Sequence, residues 1–293
     1  MAARIDCGRV ARPHGDFSVL CGPLETALAD VPDDTFDAAF GDPPYNVPKI
    51  GHHDKSGEWV EQVRWKPGTT DTQWTEIART CKTGAPVLTY SFGGVKLFEQ
   101  VVRMEAAGIS FIGVLPWLFN TAFPKGLAIG MQLDKRQIAV ATRFKCPNSG
   151  WRDMEATSRY KPVTPDGVRW EPYESTLRQM WNPVLVGVVG GTCSWFDLSH
   201  LHRNKAGTAE RSDTDHPNVK PAIVNRDLAA RILAHVTDDT TGPSKLLVPW
   251  SGVGSEIAGA LAAGWDEVVG VEIDPEYAKC SQTRVPNLLE RLR

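Results

Sequence analysis

Short apolar runs alternate with amphipathic segments along most of this chain. The segments between the runs have helical periodicity: residues 95–108 ("VKLFEQVVRMEAAG") end at a glycine, and residues 221–236 ("PAIVNRDLAARILAHV") open with a proline. The runs with the length and composition of buried strands include "FDAAFGD" (36–42), "APVLTYSF" (85–92), "ISFIGVLPW" (109–117), "SKLLVPW" (244–250) and "DEVVGVEID" (266–274). Strands that alternate with helices in this way predict an α/β fold with a mostly parallel sheet.

The alternation breaks down between Cys146 and Asp215. That stretch is rich in Pro, Gly, Ser, Arg and Trp, and only "NPVLVGVVG" (182–190) has the pattern of a strand. We therefore predict an insertion or small second lobe over 146–215, between a first section over 1–145 and a last section over 216–293. The arginines and tryptophans of the insertion fit either a solvated surface or a surface that binds phosphates and stacks on bases.

Composition narrows the class of protein. A length of 293 residues allows one main domain. The formal net charge of −3 gives no overall attraction to nucleic acid. The six cysteines lie far apart without a C-x-x-C pair, so neither a disulfide framework nor a metal site is predicted. No signal core or membrane span is evident. We expect a cytoplasmic protein.

A proline-rich turn follows the strand at 36–42. Asp42 comes directly after the apolar run, where ligands bind in open α/β sheets. Pro43 and Pro44 lack N–H groups, so the turn offers hydrogen-bond acceptors rather than donors. The Asp42 carboxylate and the Pro43 carbonyl could accept both hydrogens of an exocyclic amine on a base that stacks on Tyr45. We interpret the turn as a site that directs the lone pair of such an amine toward an electrophile.

A base within a duplex cannot reach such a turn, so this hypothesis requires base flipping. The second stacking face is assigned to Trp117 or Phe119, which follow one another closely in "LPWLFNTAFPKG". Simple packing in the core is the alternative for both rings. Asn46, next to the turn, is a further candidate for substrate binding.

The last third of the chain carries a second motif. In "LLVPWSGVGSEIAGALAAG" a strand, a glycine-containing turn and a helix follow one another, and Gly252 and Gly254 permit close approach of a ligand to the helix N-terminus. The next strand ends at Glu272, about twenty residues beyond the turn, the spacing at which an acid commonly binds ribose hydroxyls. Together these features predict a nucleoside-containing cofactor.

The order of these motifs resembles that of the S-adenosylmethionine-dependent DNA amino-methyltransferases of the β arrangement, which include phage-type members. In that family the catalytic "DPPY" half comes first, target recognition second and the cofactor half last. The resemblance covers most of the chain outside 146–215 and includes "HPNVKPAIVNRDLAARIL". It implies a Rossmann-like, doubly wound fold with an inserted target-recognition lobe, S-adenosylmethionine as cofactor and DNA as partner. A homodimer and a separate nuclease partner are compatible with it.

The resemblance also assigns roles to residues. The catalytic loop would be Asp42, Pro43, Pro44 and Tyr45. The residues on the cofactor side would be Trp250, Gly252 and Gly254 in the turn, Glu272 at the ribose, and His216 and Lys220 beside the methionine end.

Two positions depart from the family pattern. Val248 stands where an Asp-Pro-Phe motif begins, and Gly22 stands where an acid is expected. Both departures remove carboxylates from the cofactor side. Asp42 favours the adenine N6 amine, and the cytosine N4 amine is the alternative. An RNA or nucleotide methyltransferase, and a nucleic-acid binding protein with weakened cofactor binding, are also left open.

Overall fold

The computed structural model describes residues 3–5, 15–44, 51–53, 59–61, 68–91, 95–121, 178–191, 196–202, 214, 216, 219–236 and 242–292. The chain divides into two compact units. The first comprises Met1–Leu115, Pro183–Ser199 and Ala206–Arg293, and the second comprises Pro116–Asn182 and His200–Lys205.

The strands and helices follow the predicted alternation. The strands are β1 (Ala3–Ile5), β2 (Asp16–Cys21), β3 (Ala38–Gly41), β4 (Gly51–His53), β5 (Trp59–Glu61), β6 (Pro86–Tyr90), β7 (Ile109–Thr121), β8 (Arg178–Val189), β9 (Leu201–His202), β10 (Lys245–Val248) and β11 (Glu267–Glu272). The helices are α1 (Leu24–Ala27), α2 (Asp71–Thr80), α3 (Val95–Ala106), α4 (Ala222–Val236), α5 (Ser255–Ala263) and α6 (Pro275–Leu292). None of the helices within the described ranges is long and apolar enough to cross a membrane.

The first unit is built on one mixed sheet. Among its described residues the strand order is β1-β2-β11-β10-β3-β6-β8-β7. Neighbours from β2 through β6 run parallel, whereas β1 and β8 run antiparallel to β2 and β6. Strands β4 and β5 form a separate antiparallel pair. This mostly parallel sheet with flanking helices confirms the predicted fold class.

Local sequence signals set the helix ends. The Thr70 side chain accepts from the Gln73 backbone N–H and the Gln73 side chain accepts from the Thr70 backbone N–H, which is a capping box that starts α2. Gly108, predicted to end α3, has φ 84° two residues beyond it, and Gly264 ends α5 with φ 103°. Such left-handed positions favour glycine because a Cβ atom is disfavoured there.

The stretch assigned to the insertion contributes a strand to the main sheet. The strand predicted at 182–190 overlaps β8, which ends at Val189, and Val184–Val188 pair antiparallel with β6. In the second unit, Trp117 of β7 pairs in parallel with Leu201 of β9. The strand-like run "IAVATRF" (138–144) and most of 146–215 lie outside the described residues, so the domain boundaries stay a prediction.

Helices α4 and α5 pack against each other at a glycine. A Cβ atom on Gly259 would lie 2.5 Å from Cβ of Asn225 and 2.6 Å from the backbone nitrogen of Arg226. These distances are shorter than van der Waals contact, so a larger residue forces the two helices apart.

Gly259→Ala is therefore expected to lower the free energy of unfolding by about 2 kcal/mol, because overpacking outweighs the better helix propensity of alanine. Urea denaturation measures the change. Gly242→Ala is the control, since a Cβ at Gly242 meets nothing within 4 Å. Equal stability of Gly259→Ala and the unsubstituted chain would contradict the close packing of α4 on α5.

Candidate active site

The candidate site lies where the strand order reverses direction. From β10 the chain continues through α5 to β11 on one side, and from β3 it continues through α2 to β6 on the other. Ligands of open α/β sheets bind outside the carboxyl ends of the strands at such a switch point. The two predicted motifs, residues 42–44 after β3 and residues 249–254 after β10, both start there.

The two loops leave the sheet in close contact. A Cβ atom on Gly41 would lie 2.4 Å from the carbonyl oxygen of Pro249. Only a glycine before Asp42 allows the two backbones to approach this closely. The structure therefore brings the predicted catalytic turn next to the predicted cofactor turn. Tyr45 and Asn46 lie outside the described residues.

Asp42 forms an ion pair with a lysine from the last section of the chain. Lys220 Nζ donates to Asp42 Oδ2, and only 9% of the Lys220 side chain and 14% of the Asp42 side chain are exposed. Because a buried charge is costly without its partner, these two side chains act as a unit. The sequence predicts Lys220 beside the cofactor. In the structure, Lys220 contacts Asp42, the predicted catalytic acid.

Tyr90 lies beneath this ion pair at the end of β6. Lys220 Nζ is 4.9 Å from the centroid of the Tyr90 ring, and the Tyr90 hydroxyl donates to Asn225 Oδ1 at 2.6 Å. Burial, together with the charges of Glu256 and Asp42, raises the pKa of Tyr90 well above its ordinary value. The phenol therefore stays neutral and offers the lysine its ring face. No pattern in the sequence indicated this role.

The cofactor turn has backbone conformations that are rare outside glycine. Gly252 has φ 51° and Gly254 has φ 83°, and a Cβ on Gly254 would lie 2.6 Å from Val285 Cγ2. Trp250 has φ 55° and packs on Trp74, with ring centroids 5.3 Å apart. Its indole N–H is buried and has no hydrogen-bond partner within the described part of the chain. A strained tryptophan with an unmatched donor is the kind of feature that accompanies a ligand site.

Glu272 connects the turn to the end of β11. Its carboxylate accepts hydrogen bonds from the backbone N–H of Gly252 at 2.7 Å and of Asp274 at 2.9 Å. The side chain is buried, and this burial raises the pKa of Glu272 above its ordinary value. The backbone N–H of Ile273 also contributes to this carboxylate, which has about four acceptor positions and so keeps acceptor capacity for a ligand.

His216 faces the same turn. Its Nε2 would lie 3.3 Å from a Cβ on Gly252, and its ring meets Tyr277 edge to face at 4.9 Å. Burial is the main cause that lowers the pKa of His216 to about 4, and the charges of Lys220 and Arg284 lower it further, against Asp42. The imidazole is therefore neutral at pH 7.

Two charged residues of the site were missed in the sequence. Glu256, in the first turn of α5, and Arg284, on α6, are both buried. Arg284 Nη1 donates to the Ser255 hydroxyl at 2.9 Å and to the Val253 carbonyl at 3.2 Å. The available signal was a lone acid in the otherwise small and apolar segment "SEIAGALAA". Burial, then the charge of Asp42, raises the pKa of Glu256 to about 7, against smaller opposing effects of Lys220 and Arg284.

This raised pKa has a consequence for stability. The folded chain holds the Glu256 proton up to about pH 7, whereas the ordinary value is 4.5. The contribution of the neutral carboxyl is therefore complete below pH 4.5 and is lost as pH rises through 7. The difference between the two pKa values corresponds to about 3 kcal/mol in the free energy of unfolding.

Glu256→Gln is expected to unfold at the same temperature as the unsubstituted chain near pH 4.5 and about 5 °C higher at pH 8. Thermal unfolding of both chains at several pH values measures this difference. His216 contributes equally to both chains, so its opposite pH dependence does not affect the comparison. Glu267→Gln, at a half-exposed position of β11, is the control for the loss of a carboxylate away from the site. A difference that stays constant from pH 5 to pH 8 would count against the buried acid.

A cleft of 420 Å³ opens beside Pro43 and Pro44. Its other walls come from the start of α2 and from one side of α3. The residues that line these walls are Gly68, Thr69, Thr70, Asp71, Thr72, Lys96, Glu99, Gln100 and Arg103. The volume lies within the range of small-molecule sites.

The predicted stacking residues belong to β7. Trp117 lies in the second unit and is 2% exposed, so its ring is packed. The side chain of Phe119 lies outside the described residues. Their contact with a target base stays a prediction. No group of three or more potential ligands that could hold a metal ion occurs among the residues that the structure describes.

Comparisons with known proteins identify the fold. No family model and no curated protein matches the sequence. Among solved structures, the complex of M1.HpyAVI with SAM is 12% identical, with a TM-score of 0.50 over 92% of this chain and 98% of that chain. The chain has the fold of M1.HpyAVI. The predicted Rossmann-like class, and the resemblance to the methyltransferases at the level of the fold, are thereby confirmed.

Two further structures are similar over comparable lengths. TTHA0409 of Thermus thermophilus, a candidate DNA modification methylase, is 15% identical, with a TM-score of 0.47 over 92% of this chain and 95% of that chain. The cytosine-N4-specific PvuII DNA methyltransferase is 12% identical, with a TM-score of 0.49 over 95% of this chain and 93% of that chain.

Proposed function

We propose that this chain is an S-adenosylmethionine-dependent DNA methyltransferase that methylates the exocyclic amine of a flipped adenine. The observation that carries the proposal is the contact between the two loops, in which Gly41 and Pro249 bring the Asp42 turn against the glycine turn. An acceptor for an amine and a cradle for a nucleoside thus lie at one switch point.

The residues of the glycine turn fit the proposed cofactor. Gly252 and Gly254 leave the backbone accessible, the Trp250 indole N–H is an unmatched buried donor, and Glu272 keeps acceptor capacity beside its backbone contacts. When bound, S-adenosylmethionine supplies a methyl group activated by its positive sulfonium. Glu272 would accept the ribose hydroxyls. With Val248 and Gly22 in place of the family's acids, Glu272 carries more of the cofactor affinity.

The catalytic turn acts on the other substrate. The Asp42 carboxylate and the Pro43 carbonyl accept the two hydrogens of the target amine, which directs its lone pair toward the methyl group. Lys220 donates to Oδ2 of Asp42 and so holds the carboxylate at the turn. After the transfer, the amine loses one proton, which passes to Asp42. This step needs no metal ion.

The preference for adenine rests on Asp42 at the first position of the turn, as in the family resemblance. DNA as partner rests on the requirement for a flipped base. Most of the predicted insertion over 146–215, the candidate surface for duplex contacts, lies outside the described residues.

The proposal is tested by offering labelled S-adenosylmethionine to the protein with unmethylated duplex DNA, RNA or free nucleotides as competing acceptors. Label in duplex DNA is the expected result. Label confined to RNA or nucleotides would contradict DNA as substrate. No label in any acceptor, together with no heat of cofactor binding, would show a binding protein that lacks the cofactor.

A further inference from the structure

We propose that Tyr90 is a positioning residue that holds Lys220 against Asp42. Its catalytic consequence rests on the function proposed above, whereas its effect on the lysine does not. We assign Tyr90 no contact with the target amine.

The ring is placed to act on the lysine. Lys220 Nζ lies 4.9 Å from the Tyr90 ring centroid while it donates to Asp42 Oδ2, so the ammonium group is held between a carboxylate and an aromatic face. Tyr90 is 1% exposed and Lys220 is 8% exposed, which removes water as a competing partner. An ammonium group above a desolvated ring is attracted by the ring's negative face.

The ring is itself held in place. Its hydroxyl donates to Asn225 Oδ1 at 2.6 Å, and the Phe40 ring packs against it with centroids 5.7 Å apart. The Gln100 side chain donates to the Tyr90 carbonyl at 3.0 Å. Contacts from β3, α3 and α4 therefore fix both the ring and its backbone.

Asn225 gives independent support. It is fully buried, and its amide nitrogen has no hydrogen-bond partner among the described residues. A buried amide with an unmatched donor destabilises the fold, so packing alone does not account for an asparagine here. The amide oxygen of Asn225 accepts the hydrogen bond from the Tyr90 hydroxyl, and we assign Asn225 the function of holding this hydroxyl.

The arrangement matters because lysine has a long and flexible stem. Without a fixed neighbour, the ammonium group could contact either oxygen of Asp42 or turn away. A ring held by Asn225 limits the ammonium to one oxygen, which leaves the carboxylate in one orientation toward the amine. Precise orientation of reacting groups is a major source of catalysis.

The first test measures the lysine directly, without cofactor or DNA. The protein is treated briefly with an acylating reagent, and modification of Lys220 is read by mass spectrometry. Tyr90→Leu should raise the rate of Lys220 acylation by about fivefold, and Tyr90→Phe, which keeps the ring but loses its hydrogen bond to Asn225, should raise it by less. Phe36→Leu, which replaces a similarly buried ring two residues before β3, is the control for lost packing. Unchanged acylation in Tyr90→Leu would overturn the proposal.

The second test measures coupling between the two residues. Tyr90→Leu should lower kcat by about tenfold when Lys220 is present and by less than about twofold when Lys220 is replaced by Met. Equal losses in both backgrounds would mean that Tyr90 acts only on stability, and would refute the positioning role. A chain that is inactive before any substitution would count against the proposed function, while the acylation test still decides the role of Tyr90.

Discussion

Asp42→Ala is expected to lower the rate of methyl transfer by at least about a thousandfold, while the affinity for S-adenosylmethionine changes by no more than about twofold. The substitution removes the main acceptor for the target amine and for the proton that it loses. The glycine turn and Glu272 are untouched. Single-turnover transfer and isothermal titration measure the two quantities separately.

This variant needs a control, because it also leaves Lys220 buried without its partner. An unpaired buried charge costs about 3–5 kcal/mol, so Asp42→Ala is expected to be less stable. Combining it with Lys220→Met should recover stability but no activity. Substantial turnover in either variant would remove Asp42 from the catalytic role.

Glu272→Ala is expected to have the opposite profile, with cofactor affinity weakened by about 10- to 100-fold. The carboxylate is the proposed acceptor for the ribose hydroxyls, and it also holds the Gly252 and Asp274 backbone N–H groups at 2.7 and 2.9 Å. Both contributions disappear together. Because burial raises the pKa of Glu272, affinity of the unsubstituted chain should also fall as pH drops through that raised value.

Glu267→Ala is the matched control for this variant. Glu267 lies on the same strand, β11, and forms an exposed pair with Lys245 at 3.0 Å. Exposed pairs contribute little, so its loss should leave cofactor affinity unchanged. If Glu272→Ala binds the cofactor as tightly as this control does, Glu272 does not bind the ribose.

The elements around the site could be predicted because their signals are local. The run before Asp42 has the apolar content of a buried strand, and Gly108 and Gly264 have the sequence context of helix ends. The pairing of strands depends instead on partners far apart in the chain. The antiparallel contact of β8 with β6 could not be read from "NPVLVGVVG", because an apolar run indicates burial but not direction.

The candidate site shows the same division. Asp42, Gly252 and Glu272 follow strands in recognisable spacings, so the sequence indicated them. Tyr90 and Glu256 lie in segments that otherwise resemble ordinary core, and their neighbours come from distant parts of the chain. Burial and neighbouring charges, which give Glu256 a pKa of about 7, exist only in the folded chain. Tyr45 and Asn46 stay predictions.

We propose that this chain transfers a methyl group to an amine of DNA. The most direct measurement supplies S-adenosylmethionine with a trideuterated methyl group and unmethylated duplex DNA, then identifies the nucleosides of the product by mass spectrometry. We expect trideuteromethyl-N6-deoxyadenosine with the unsubstituted chain and none with Asp42→Ala. The cytosine N4 product would keep the mechanism and correct the base. A chain that binds the cofactor but leaves no trideuterated nucleoside in DNA would refute the proposed methyl transfer to DNA.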